Sequence, residues 1–178
     1  MKVRMAGLGG QGQVTAGILL GHAAVIEGKD ALQTQSYGSA TRGGLTTCDI
    51  AIGDSVVYEV NPEKFDILVA FCQEAYDTYL PLLADDGVLL YEGDLVTTDE
   101  RLPGRHAALA STRLAKDELG RTIVSNVVML GFLVGAVPGL VEATSLEAAL
   151  ADQLKAGIVK LNHDAFRLGY DAGRAAIS

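Results

Sequence analysis

A short apolar run, KVRMA, opens directly into AGLGGQGQVTAG, Ala6 to Gly17, and then into VTAGILLGHAAVIEG. Strand, glycine turn and helix in that order commit the chain to packing its first strand beneath a helix, the opening of a β-α-β unit. Gly7, Gly9 and Gly12 fit the pattern G-x-G-x-x-G. Glycines so spaced permit positive φ and close backbone approach, and the following helix offers its first N–H groups to an anion. Val14, Ile18, Leu19 and Val25 recur at helical spacing, so this helix is expected to end near Gly28.

ALQTQSY reads as the next strand, and LTTCDIAIGDSVVYEV as two strands turning at Gly53-Asp54, an antiparallel hairpin from Thr46 to Val60. FDILVAF and DGVLLYEG are continuous apolar runs of buried-strand length, the second entered through Asp86-Gly87. Between them QEAYDTYLPLLA reads as a helix that Pro81 tightens. The last third is helical: ASTRLAKDELG, the buried run between Ile123 and Leu140, a helix capped by Ser145 with Glu147 inside it, and an amphipathic helix from Gly157. With no repeat and no linker, residues 1–178 are expected to form one α/β domain. The hairpin makes its sheet mixed, because pure β-α-β alternation would make it wholly parallel.

A dinucleotide fold needs an acid about twenty positions after the glycines, at the end of the second strand, to take the ribose hydroxyls. Here that strand ends in Gln35, Ser36 and Tyr37, while Glu27 and Asp30 fall at its wrong end. NAD is therefore disfavoured, and two readings of the loop stand: a tight structural turn, or a binding loop in which Gly10 and Gln11 add amides for an anion or a partner's backbone. A second loop, SYGSATRGG from Ser36 to Gly44, sets Arg42 among glycines and small polar residues. It reads equally as a solvated arginine or as a fork for a carboxylate, a phosphate or an interface acid.

Catalytic machinery is missing from the sequence pattern. His22, His106 and His163 are far apart, no serine sits in a nucleophile elbow, and there is no HExxH; Cys48 and Cys72 read as two buried thiols rather than metal ligands. Asn126, inside an apolar helix, reads as a buried, bonded amide. The net charge of −8 argues against nucleic acid as partner. An apolar fraction of 49% leaves surface for partner chains, and no apolar run is a secure membrane span or export signal, so a cytoplasmic location is expected.

Taken together, GLGGQGQVTAGILLGHAA, SYGSATRGG, FDILVAF, DGVLLYEG and ELGRTIVSNVVMLG resemble, in order and spacing, the gamma subunit of 2-oxoacid:ferredoxin oxidoreductases. That family spans the pyruvate, 2-oxoglutarate, 2-oxoisovalerate, indolepyruvate and phenylglyoxylate enzymes. The resemblance implies a three-layer α/β/α sandwich with a mixed, mostly parallel sheet. It implies a multi-subunit complex that decarboxylates a 2-oxo acid oxidatively, passes the acyl group to coenzyme A and sends two electrons to ferredoxin or another acceptor. Thiamine diphosphate, magnesium and [4Fe-4S] clusters would then belong to sister chains, the thiamine-binding alpha and beta subunits and a ferredoxin-like subunit. On this chain the matching positions are Gly7, Gly9, Gly10, Gln11 and Gly12, then Tyr37, Gly38, Arg42, Gly43 and Gly44, and Asn126 in NVVMLG. They imply cofactor or interface contacts and no catalytic residue. Ser39-Ala40 stands where many members carry Pro-Glu, so contacts made by that glutamate are absent. The rival reading is a free-standing nucleotide- or coenzyme A-binding module with a phosphate on the first loop.

Overall fold

The computed structural model describes residues 1–38, 44–56, 64–99 and 105–176. In chain order they form β1 (Lys2–Leu8), α1 (Gln13–Ile26), β2 (Asp30–Tyr37), β3 (Leu45–Gly53), β4 (Phe65–Ala70), α2 (Gln73–Tyr79), β5 (Leu83–Glu92), β6 (Arg105–Leu109), α3 (Ser111–Leu119), α4 (Ser125–Ala136), α5 (Ala143–Gln153) and α6 (Ala156–Ala176). The strands make one sheet in the order β2-β3-β1-β4-β5-β6. β1, β4, β5 and β6 are parallel, and β3 lies antiparallel to both of its neighbours.

The sheet is mixed, as expected, but a different pair of strands makes it so. β3 ends at Gly53 where the turn was expected, yet Asp54 to Val56 carry no strand, and 57–60 lie outside the described residues. The hairpin partner of β3 is the strand before it: β2 pairs with β3 from Asp30↔Gly53 to Tyr37↔Thr46. Gly38 and Gly44 thus flank the connection between two antiparallel strands, and residues 39–43 lie outside the described residues. Two further departures are local. β6 escaped notice because RHAAL is short and mostly exposed, and α5 starts at Ala143, so Ser145 lies inside it rather than capping it. Glu27 takes over the capping, its carboxylate accepting the Glu142 N–H from the far end of α1. Pro81 does end α2, in a 3-10 turn over Leu80–Leu82.

Alternate residues of the strands feed two apolar layers. Val3, Met5, Ile50, Ile67, Val69 and Leu90 face α1 and the helices from α3 to α6, while Ala6, Leu68, Ala70 and Leu89 face α2. This is the three-layer arrangement. Into the α2 side the chain also places a charge. Arg4, 7% exposed, pairs across the sheet with Asp49 through Nε–Oδ1 at 2.7 Å and Nη2–Oδ2 at 2.6 Å. Its guanidinium lies 3.8 Å from the Phe65 ring centroid and 4.6 Å from that of Tyr79. The forked bond and the two ring faces together offset the cost of taking the charge out of water.

The thick helical side is organised around α4, whose residues from Asn126 to Ala136 are all buried. A helix apolar all round must be enclosed by other elements, and α6 supplies the closest of them. Gly131 and Gly135 on α4 face Gly169 and Gly173 on α6, and a Cβ on any of the four would overlap backbone of the opposite helix. The two helices therefore touch main chain to main chain. Gly169→Ala, whose Cβ would run into the Val128 carbonyl oxygen, is expected to destabilise the protein by about 3 kcal/mol. Urea denaturation checks this; a loss near zero would mean that the helices separate freely.

Candidate functional site

The turn after β1 is held by side-chain amides. The Leu8 N–H donates to Gln11 Oε1 at 2.6 Å, and Gln11 Nε2 donates to the Phe71 carbonyl at 3.0 Å, tying the carboxyl end of β1 to that of β4. Gln13 Nε2, buried beneath, donates to the Leu8 carbonyl at 3.1 Å. Gly7 must lack a side chain because a Cβ would stand 2.6 Å from Gln11 Oε1. Gly12 opens α1 at φ +83°, and Asn126 Nδ2 donates to its carbonyl at 3.2 Å. A Cβ on Gly12 would stand 2.6 Å from that amide nitrogen. The loop's conformation and its closeness to α4 are one constraint.

Of the positions singled out in the sequence, Gly10, Gln11, Gly12 and Asn126 line one cleft of about 410 Å³ at the carboxyl ends of β1, β4 and β5. Gly9 joins the two loops, its N–H donating to the Gly44 carbonyl at 3.3 Å. Tyr37 and Gly38 lie at the end of β2, with Tyr37 exposed and bonded to Gln35, and neither lines the cleft. Arg42 and Gly43 lie outside the described residues. Because β3 is interposed between β1 and β2, the end of β2 is one strand removed from where a dinucleotide fold takes the ribose, which agrees with the missing acid.

The sequence reading missed Glu92. It closes β5, is 2% exposed, and lines the cleft with Thr112, Ser125 and Asn162. Its Oε2 accepts the Ser111 N–H at 3.1 Å and the Ser111 hydroxyl, so it caps α3, whose own N-cap position is Ala110. Its Oε1 is buried without a partner among the described residues. Burial pushes the Glu92 carboxyl above its ordinary range, partly opposed by the hydrogen bonds from Ser111 and Thr112. The available signal was a lone acid ending a buried strand, at the sheet edge where α/β folds hold ligands. The cleft mouth carries exposed Ile123 and Ile158.

Cys48 is buried behind Gly17, accepts a hydrogen bond from Gln33, and has its thiol pushed up to about 12 by desolvation. His22 sits 3.5 Å from Asp152, and His163 3.5 Å from Glu147, each away from the cleft. Among the described residues no three His, Cys, Asp or Glu gather as a metal site, and no helix is long and apolar enough to cross a membrane.

Residues 2–172 match the family of pyruvate ferredoxin/flavodoxin oxidoreductases. The 2-oxoglutarate synthase subunit KorC of Methanocaldococcus jannaschii is 38% identical over 177 residues, 97% of this chain and 94% of that one. The pyruvate synthase subunit PorC of Methanothermobacter thermautotrophicus is 33% identical over 177 residues, 96% of this chain and 94% of the relative. Among solved structures, the gamma subunit of a keto/oxoacid ferredoxin oxidoreductase from Geobacter sulfurreducens PCA superimposes with a TM-score of 0.87. It is 36% identical and covers 98% of this chain and 99% of its own.

Two outcomes follow from the geometry. Gly12→Ala is expected to cost about 2 kcal/mol, since it combines a left-handed backbone with a steric overlap. Adding Asn126→Ala should recover part of that loss, and strict additivity in a double-mutant cycle would contradict the contact. Glu92 binds its proton more tightly folded than unfolded, so its contribution is greatest below the unfolded-state pKa and is lost as pH rises through the raised folded value. The stability of Glu92→Gln relative to the parent should accordingly improve as pH rises above the ordinary glutamate pKa, read from urea midpoints. A difference that does not change with pH would count against this environment.

Proposed function

This chain belongs to the pyruvate ferredoxin/flavodoxin oxidoreductase family, and we propose that it is the gamma subunit of a multi-subunit 2-oxoacid:ferredoxin oxidoreductase, the part that supports assembly and the surroundings of the active site. Its relatives include subunits named for 2-oxoglutarate and for pyruvate. The observation that carries the assignment is the likeness along nearly the whole chain to a gamma subunit of the same length and fold. What supports the supporting role is the cleft. It has the glycine loop, buried amides and apolar rim of a contact site, and among the described residues no group of three metal-ligating side chains.

In this reading the reaction of the whole enzyme converts a 2-oxo acid, coenzyme A and oxidised ferredoxin into an acyl-CoA, carbon dioxide and reduced ferredoxin. Thiamine diphosphate with magnesium sits on the alpha and beta subunits, and [4Fe-4S] clusters on a ferredoxin-like subunit, all within the cytoplasm. We place these groups on the sister chains: Glu92 is the one charged residue among the described residues lining the cleft, and no three His, Cys, Asp or Glu gather as a metal site among the described residues. Its own residues Gly9 to Gly12, Gly44 and Asn126 shape the loop that a neighbouring subunit, or coenzyme A held by it, rests against. Tyr37 and Gly38 extend that contact toward the β2 edge, and Arg42 and Gly43 are proposed as further contacts.

Reconstituting the enzyme with and without this chain tests the proposal. Omission is expected to bring 2-oxo-acid- and coenzyme A-dependent dye reduction to background and to reduce the size of the complex. Unchanged activity and size would overturn it. Repeating the assay over several 2-oxo acids identifies the substrate.

A further inference from the structure

The cleft holds an unusual imbalance. Glu92 is 2% exposed, one of its oxygens is occupied in capping α3, and the other is buried without a partner among the described residues. A cap requires only one acceptor, and a neutral oxygen would supply it. The second carboxylate oxygen is surplus to that task and costly to leave unpaired. No lysine, arginine or histidine among the described residues lines the cleft. On the other side of Glu92, a smaller cavity is lined by Asp94, Arg113, Lys116 and Asp117. Arg113 is engaged with Asp94 at 3.2 Å, and among the described residues no cation lies within ion-pair distance of Glu92. Leading inward from the mouth, Ile158, Leu154 and Leu161 form an aliphatic wall. A cleft with an aliphatic wall on one side and Glu92 as the one charged residue among its described lining fits an alkyl stem with a positive tip.

We propose that the cleft is a socket for a lysine or arginine side chain of a partner subunit, with the Glu92 carboxylate as its counter-ion. The inference rests on the chain's being a subunit of a larger enzyme. It makes the basic residue, rather than a phosphate-bearing ligand, the group received at the floor of the cleft, because an anion there would face Glu92 with no described cation to balance it. Docking of the cation completes the bonding of Oε1 and favours the ionised carboxyl, so assembly lowers the pH at which Glu92 gives up its proton. Of the charged groups facing Glu92, Asp94 opposes ionisation, and its pair with Arg113 is present before and after docking.

The test is binding of this chain to the remaining subunits, followed by titration calorimetry in buffers of different ionisation enthalpy. The parent chain is expected to release up to one proton on assembly at mildly acidic pH and to bind more tightly as pH rises. Glu92→Gln should bind about tenfold or more weakly at neutral pH, with no proton release and a flat pH profile. Ser111→Ala, which weakens the α3 cap and keeps the carboxylate, should bind within about threefold of the parent and still release the proton. Parent-like affinity of a folded Glu92→Gln, or assembly of the parent chain without proton release, overturns the socket. Failure of the parent chain to bind the other subunits at any pH overturns the subunit reading with it.

Discussion

Everything near the cleft depends on how closely α4 and α6 approach. Gly131 and Gly135 against Gly169 and Gly173 let the two backbones meet without side chains between them, which seats α4 deep enough for its first turn to reach the glycine loop. There Asn126 takes the Gly12 carbonyl and fills the space that a Cβ on Gly12 would need. A helix–helix contact at one end of the layer thus fixes the shape of a loop at the other. Dispersion and burial set its strength, and four absent side chains set its geometry.

A second theme is capping from a distance. α3 and α5 have Ala110 and Glu142 at their N-cap positions, and neither forms a side-chain cap of its own. Each is served by a glutamate from another element: Glu92 from the end of β5, and Glu27 from just past α1. The acid at the positive end of a helix is favourable in both cases, but the consequences differ. Glu27 is neighboured by Lys29 at 2.8 Å, and its carboxyl sits below the ordinary range, because the bonds from Lys29, Glu142 and Ser145 outweigh desolvation. Glu92 has no such cation among the described residues, and burial wins. The same structural device leaves one glutamate satisfied and the other with an unbonded oxygen among the described residues.

The elements legible in the sequence were those whose signal is local. The glycine turn, the spacing in α1, the apolar runs of β4 and β5 and the all-apolar α4 each announced themselves, and together with the SYGSATRGG motif they carried the family resemblance. What stayed hidden depends on partners far along the chain. The insertion of β3 between β1 and β2, the Arg4–Asp49 pair and the displacement of Ser145 from its expected cap are set by tertiary neighbours rather than by periodicity. Within the site, the loop and Asn126 were legible as a motif. Glu92 was not, since one acid at the end of an apolar strand looks the same whether it meets water, a helix end or a partner. Substrate identity was beyond reach because the residues that read a 2-oxo acid are expected on other subunits.

The central claim is that this chain acts by presenting its glycine-loop face to the rest of an oxidoreductase. Hydrogen exchange of the isolated chain against the chain in the assembled enzyme measures that most directly. The account predicts that protection on assembly concentrates at Gly9 to Gly12, at Thr122 to Asn126 and around Ile158, the segments that border the cleft. Protection confined to the exposed face of α1 around Val25 or to the exposed Asp85-Asp86 segment of β5, with the cleft exchanging as before, would contradict it.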